Sequence, residues 1–351
     1  MKYIMLSIFS LTFIMADLHI SGDARVRPRY DIKENGDGSS TSDLYYLYRA
    51  RLNMKADIGD GWFLKTKLGT NSVAGMTKMG TLSEESYTLK PSISFMEIYF
   101  GSMKDDWGFW AGAFPLKYNP ALDLHFYSDK LVDIPFMLFN NSSITGFSGY
   151  RSLMGHKLNW FLSVDNNVIE KEVFADECED PDGDGTCDDI EDCDNFTLGM
   201  DAFLTFGSVS VTPRFLTSFG GQEDDIFPMT YGADLLLPKI AGFSSSLSYY
   251  LTTKGKDSDD GHYEGDHMRI SLSGPMNKGK LKFFFDLAHK DNDQVSYIWL
   301  SYTHNLYKGD FGQVSISPTF RLQTGKGAGT EDFDGDYSRT KLEVTTQIQF
   351  K

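Results

Sequence analysis

From Asp17 onward the chain alternates. Leu18, Ile20, Gly22, Ala24, Val26, Pro28 and Tyr30 fall in one phase, and His19, Ser21, Asp23, Arg25, Arg27, Arg29 and Asp31 in the other. Successive side chains of an extended strand point to opposite faces, so period two predicts a strand with one apolar and one polar face; a helix would mix the two sets. The pattern returns as Tyr46, Tyr48, Ala50, Leu52, Met54 and Ala56 against Arg49, Arg51, Asn53, Lys55 and Asp57, then as Trp62, Leu64, Thr66 and Leu68 against Lys65 and Lys67. Later apolar phases include Leu158 to Val164, Phe196 to Phe206, Val209 to Phe215, Met229 to Leu237, Phe243 to Leu251, Met268 to Leu272, Leu281 to Leu287, Ile298 to Tyr302, Val314 to Phe320 and Leu342 to Phe350. With less regular stretches near 92–101, 107–114 and 144–152, the count comes to about sixteen strands.

The connections alternate as well. Tight links are expected at 57–61, 102–106, 153–156, 207–208, 238–241, 275–279 and 305–310, with turn residues such as Gly59-Asp60-Gly61. Most of the others are longer and more polar: 31–42, 70–90, 115–142, 165–195, 217–227, 254–266 and 322–336, with 290–294 short. Short turns at one end and long loops at the other predict an all-β fold: an up-and-down antiparallel transmembrane β-barrel with periplasmic turns and extracellular loops. Hydrocarbon leaves open sheet edges unsatisfied, so strands cross it only as a closed barrel, and about 9–11 tilted residues suffice for each. A soluble sandwich has no reason to sort its loops by side. Tyr45, Tyr46, Tyr48, Trp62, Trp107, Phe109 and Trp110 are expected at the aromatic girdles.

Residues 1–16 read as a secretory signal peptide: Lys2, an apolar stretch from Tyr3 to Met15 and a small residue, Ala16, before Asp17. That stretch is shorter than the roughly 20 residues of a spanning helix, and no later apolar run reaches about 18. The barrel is then expected over 17–351. A formal charge of −16 argues against nucleic-acid binding, which needs a basic face.

If the apolar phase faces lipid, the other lines the interior. Arg25, Arg27, Arg29, Arg49, Arg51, Lys65 and Lys67 come from the first three strands, and Arg339 and Lys341 from the last, which closure places beside the first. One side of the lumen is therefore expected to be basic, either setting ion preference or merely pairing with Asp23, Asp31, Asp57 and Glu343. The 115–142 connection is long and contains the apolar run Ile134 to Phe139, which suits a constriction folded into the barrel, with Asp123, Asp129 and Asp133 opposite the basic side. In these features the chain resembles bacterial outer-membrane porins. The resemblance implies an inward third loop, a homotrimer in outer-membrane lipid and passage of small hydrophilic solutes. The alternating terminal strand ending at Phe350 resembles the family's assembly signal, with Lys351 as an extra residue.

Asp180, Asp182, Asp184, Thr186, Asp188 and Glu191 place oxygens at positions 1, 3, 5, 7, 9 and 12 of a loop with Gly185 at position 6. Calcium takes six to eight oxygen ligands, and this spacing lets a chain wrap around the ion. The segment resembles thrombospondin type 3 calcium repeats more than an EF-hand, whose flanking helices are missing. We expect Ca2+ as a structural ion in an extracellular loop over 176–195. Cys178, Cys187 and Cys193 lie in or beside it; Cys178 with Cys193 would staple its base, although three pairings are possible. Residues 176–194 carry eleven acids and no Lys or Arg, which leaves only −5 on the rest of the chain.

No nucleophile elbow or phosphate-binding glycine loop marks an enzyme, and the seven His residues are scattered. A passive pore is the expectation. Its alternatives are a substrate-selective anion channel, for phosphate or an anionic saccharide, and a non-channel surface adhesion or structural barrel.

Overall fold

A computed structural model describes residues 17–70, 76–80, 93–116, 143–166, 195–220, 229–253, 264–290, 293–327 and 335–351. The expected signal peptide, the three constriction-loop aspartates, the calcium ligands and all three cysteines lie outside these residues.

Seventeen strands make one sheet, and all are antiparallel to their neighbours. The first half comprises β1 (Asp17–Asn35), β2 (Ser40–Gly59), β3 (Trp62–Gly69), the two-residue β4 (Thr77–Lys78), β5 (Ser94–Met103), β6 (Trp107–Pro115), β7 (Ser143–Leu153) and β8 (His156–Asn166). The second comprises β9 (Asn195–Phe206), β10 (Val209–Gly220), β11 (Met229–Leu236), β12 (Ser244–Thr253), β13 (Gly265–Met276), β14 (Gly279–Lys290), β15 (Asp293–Gly309), β16 (Gly312–Lys326) and β17 (Tyr337–Phe350). Setting aside β4, which adds a short bridge to β2 at Leu47 and Tyr48, sixteen staves each bond to the next in sequence. The ring closes because β1 bonds to both β2 and β17, from Gly22 against Phe350 to Asn35 against Tyr337. Each of the sixteen staves is thus bonded to a neighbour on both sides, as a wall immersed in hydrocarbon requires.

Burial is inverted relative to a water-soluble domain. Asp23, Arg49, Asp286 and Thr197 are buried, whereas Ile20, Val26, Phe100 and Ile348 are exposed on the outer surface. Among the described residues no helix is long and apolar enough to cross a membrane. The alternating phases read from the sequence sort as expected into an apolar exterior and a largely polar interior.

Several boundaries differ. The connection expected over 31–42 is reduced to residues 36–39, because β1 and β2 continue pairing as far as Glu34 against Ser40. Likewise β10 runs to Gly220, β15 to Gly309 and β16 to Lys326. These ends extend past what a bilayer requires. Water satisfies both faces there, so a polar sequence no longer signals the end of a strand. Tight turns match expectation: Asp60, Met154 and Asn277 each adopt φ near +50°, where the hairpins reverse within two residues.

Two glycine positions matter for closure and reversal. A side chain at Gly22 would collide with Arg51 O and the ring of Phe350, so the terminal aromatic lies across β1 at the seam. Gly61, at φ +80°, turns where a side chain would strike the Met103 backbone.

Candidate functional site

The inward side chains of β1, β2, β16 and β17 form three ion clusters. In the first, buried Asp23 accepts from Arg51 Nη2 at 2.6 Å, with Arg25 Nε at 3.2 Å and Arg49 Nη2 at 3.6 Å. The second centres on Glu343, which accepts from Arg29 Nε and has Arg321 Nη2 at 2.8 Å and Arg27 Nη1 at 3.7 Å. In the third, Arg339 grips Asp31 with two parallel bonds, Nε to Oδ1 at 3.0 Å and Nη2 to Oδ2 at 2.9 Å. Tyr45 links the last two: its hydroxyl donates to Asp31 at 3.0 Å and accepts from Arg29 Nη1 at 3.1 Å.

The local sequence explains this geometry. Arg25, Arg27 and Arg29 recur every second residue, so all three point inward, and antiparallel register sets Arg29 opposite Glu343 and Asp23 opposite Arg51. Seven arginines here share three carboxylates of the wall. The carboxylates fix the guanidinium groups in place through charge-assisted bonds. In these clusters of the described residues the arginines outnumber the three carboxylates they bind.

The other basic residues expected at the wall stand in varied settings. Lys67 binds Glu97 of β5. Lys65 lies over the Phe63 and Tyr99 rings at 5.1 and 5.7 Å. Lys341 sits in register between Arg321 and Asp31. Of the expected carboxylate partners, Asp57 serves Lys55 at 2.6 Å, apart from the arginines.

Other lumen features were not foreseen. Tyr45 and Trp110, expected at the girdles, face inward: Tyr45 joins the ion clusters, and Trp110 packs on an interior cluster of Phe63, Tyr99, Phe114, Leu116, Ile144, Phe161 and Leu216. Both stand in the inward phase, next to an outward aromatic, and the run of rings hid the alternation. Arg214, Arg269 and Arg321 were missed because each is the lone arginine of its strand. Their phase, opposite the apolar positions, was the available signal.

Eight staves from β1 the lining changes. Asn159 Nδ2 donates to Asp201 at 2.6 Å, and Asp234 accepts from Arg214 Nη2 at 2.9 Å and from the Tyr250 hydroxyl at 2.8 Å. Hydroxyl pairs Thr197–Ser218 and Thr230–Thr252, both at 2.9 Å, complete that side. Among the described residues, that side carries the carboxylates Asp201 and Asp234, Arg214 and hydroxyls. Among the described residues no group of acidic, His or Cys side chains is arranged to hold a metal ion.

No protein-family model and no curated protein sequence matches the chain. Solved structures do. An anion-selective porin from Comamonas acidovorans is similar over 95% of this chain and 100% of its own, with a TM-score of 0.61 at 14% identity. A mutant of the Rhodopseudomonas blastica porin gives a TM-score of 0.55 at 12% identity, covering 95% of this chain and 100% of that one. A loop-deletion mutant of OmpT, an outer membrane protein of Vibrio cholerae, gives 0.54 at 10% identity, covering 95% and 99%. At these identities the likeness establishes the fold: a sixteen-stranded closed barrel shared with bacterial porins.

Proposed function

We propose that this chain is a passive channel of the bacterial outer membrane that admits small hydrophilic solutes and prefers anions. The observation that carries the reading is the arginine-rich inner wall, in which seven guanidinium groups share three carboxylates. A cationic strip raises the local concentration of anions and lowers that of cations, and low-dielectric surroundings strengthen the effect. The sign agrees with the description of the Comamonas acidovorans barrel as anion-selective. Carboxylates and hydroxyls across the lumen add a transverse field, which orients polar solutes as they pass. Purified protein inserted in a planar bilayer should give stable ohmic current steps; folded protein that inserts without conducting would overturn the reading.

A selective route for phosphate or an anionic saccharide is the second reading. It is favoured by the two-residue repeat of Arg25, Arg27 and Arg29, which offers successive anion contacts along one strand. Saturation of chloride current by inorganic phosphate would separate the two.

The same proposal includes assembly as a homotrimer, a constriction formed by the 115–142 connection and export through the 1–16 signal. It also includes a calcium ion held by Asp180, Asp182, Asp184, Thr186, Asp188 and Glu191. The chemistry of the donor set supports calcium: hard carboxylate oxygens at alternating positions around Gly185. Calcium is expected to protect 176–194 from proteolysis, and equal cleavage with and without chelator would count against the site.

A further inference from the structure

Lys341 sits among the three ion clusters without belonging to any of them. It is half-buried in the inward phase of β17, with Asp31 of β1 opposite it on one side and Arg321 of β16 on the other. Both neighbouring carboxylates are already held. Asp31 gives its two oxygens to the Arg339 fork and accepts from Tyr45 as well. Glu343 is buried against Arg27, Arg29 and Arg321. Among the described residues no carboxylate lies within ion-pair distance of Lys341. Three guanidinium groups, those of Arg339, Arg29 and Arg321, act on its charge together with Asp31.

A half-buried ammonium without a partner is costly, because burial removes water that would otherwise solvate the charge. Lys280, by contrast, is exposed near the start of β14, where water solvates it. What Lys341 lacks is a negative charge, and a lumen open to solutes can bring one. Arg29 supplies a second contact. It is diagonal to Lys341 across β1 and β17, since Arg29 faces Glu343 and Asp31 faces Lys341, and diagonal positions on one face lie within reach of long side chains. Its Nε goes to Glu343 and its Nη1 to Tyr45, which leaves Nη2 as a donor. A halide is a single sphere of charge, whereas an oxyanion carries several acceptor oxygens and takes N–H groups from both side chains at once.

We propose that Lys341 and Arg29 form a binding site in the lumen wall for small dianionic oxyanions of the phosphate and sulfate type. Lys341 holds the ion and Arg29 orients it. The site rests on the anion-channel reading for its role in permeation, although binding itself does not require conduction.

Sulfate is the probe, because it stays doubly charged across the neutral range. In bilayers it should block chloride current in a saturable manner. Lys341→Gln should raise the half-blocking concentration at least about tenfold, the loss expected when a hydrogen bond between charged groups is removed, and Lys341→Arg should stay near the parent value. Lys280→Gln removes the same unit charge from another inward position and is the control. A shift in Lys280→Gln as large as that in Lys341→Gln would mean that sulfate reads the summed field, and would overturn the site, as would unchanged block in Lys341→Gln. A second measurement needs neither a variant nor conduction: amine acetylation of the folded protein in detergent, read by mass spectrometry. Saturating sulfate should slow acetylation of Lys341 about tenfold, since an occupied site excludes the reagent, and leave Lys280 unchanged. Equal rates at Lys341 with and without sulfate refute the site. Absence of any conductance would overturn the channel reading, and the acetylation rates then decide the site alone.

Discussion

Glu343 shows how single residues govern the interior. It is 3% exposed and has three arginines from two different strands, β1 and β16, around it. Removing one partner of a buried ion cluster leaves uncompensated charge, which typically costs about 3–5 kcal/mol. Glu343→Gln should therefore lower the stability of the folded barrel by roughly that amount, measured by denaturant unfolding in detergent, while making the lumen more anion-preferring. A variant of unchanged stability would mean that Arg27, Arg29 and Arg321 do not depend on this carboxylate. The role of Glu343 is only half legible in the sequence. Its phase in β17 puts it inside, but its three partners are known only once β1, β16 and β17 are side by side, an arrangement set by closure rather than by neighbouring residues. Tyr45 is harder still. It precedes Tyr46, and composition alone cannot say which of two adjacent rings faces lipid.

Strands were legible wherever the bilayer enforces a contrast between faces. β9 and β14 keep their apolar phase through the membrane, and their positions follow directly from the alternation. The outer ends of β1 and β2 were not legible, because Lys33 against Thr41 and Glu34 against Ser40 continue the ladder with polar side chains on both faces. The seam between β1 and β17 likewise depends on a feature without a pattern signature. Gly22 leaves the notch across which the Phe350 ring lies. Gly22→Leu should displace that ring and weaken closure, lowering the temperature at which the folded form converts to the unfolded one on electrophoresis. An unchanged transition would show that backbone pairing of β1 with β17 holds the seam without the ring.

For the molecule as a whole, an acidic chain encloses a basic wall. The formal charge of −16 is dominated by 176–194, which carries −11, so net charge says little about the lumen. In the proposed channel, permeation is governed by where the charges face. Alternation places the arginines inside, antiparallel register gathers them around Asp23, Asp31 and Glu343, and closure brings the first and last strands together. The same three steps set Lys341 between Arg321 and Asp31. The large-scale fold was legible because a closed barrel is the structure that satisfies sixteen amphipathic strands in a bilayer. The interior apolar cluster around Phe114 and Phe161 was not, since those residues interrupt the polar phase one at a time.

The reversal potential across a bilayer separating unequal potassium chloride solutions tests the central claim most directly. The parent protein should show chloride preference, and the combined replacement of Arg25, Arg27 and Arg49 by Gln should move the potential toward the potassium side. A parent channel that prefers potassium, or a potential that the triple replacement leaves unchanged, would contradict the account.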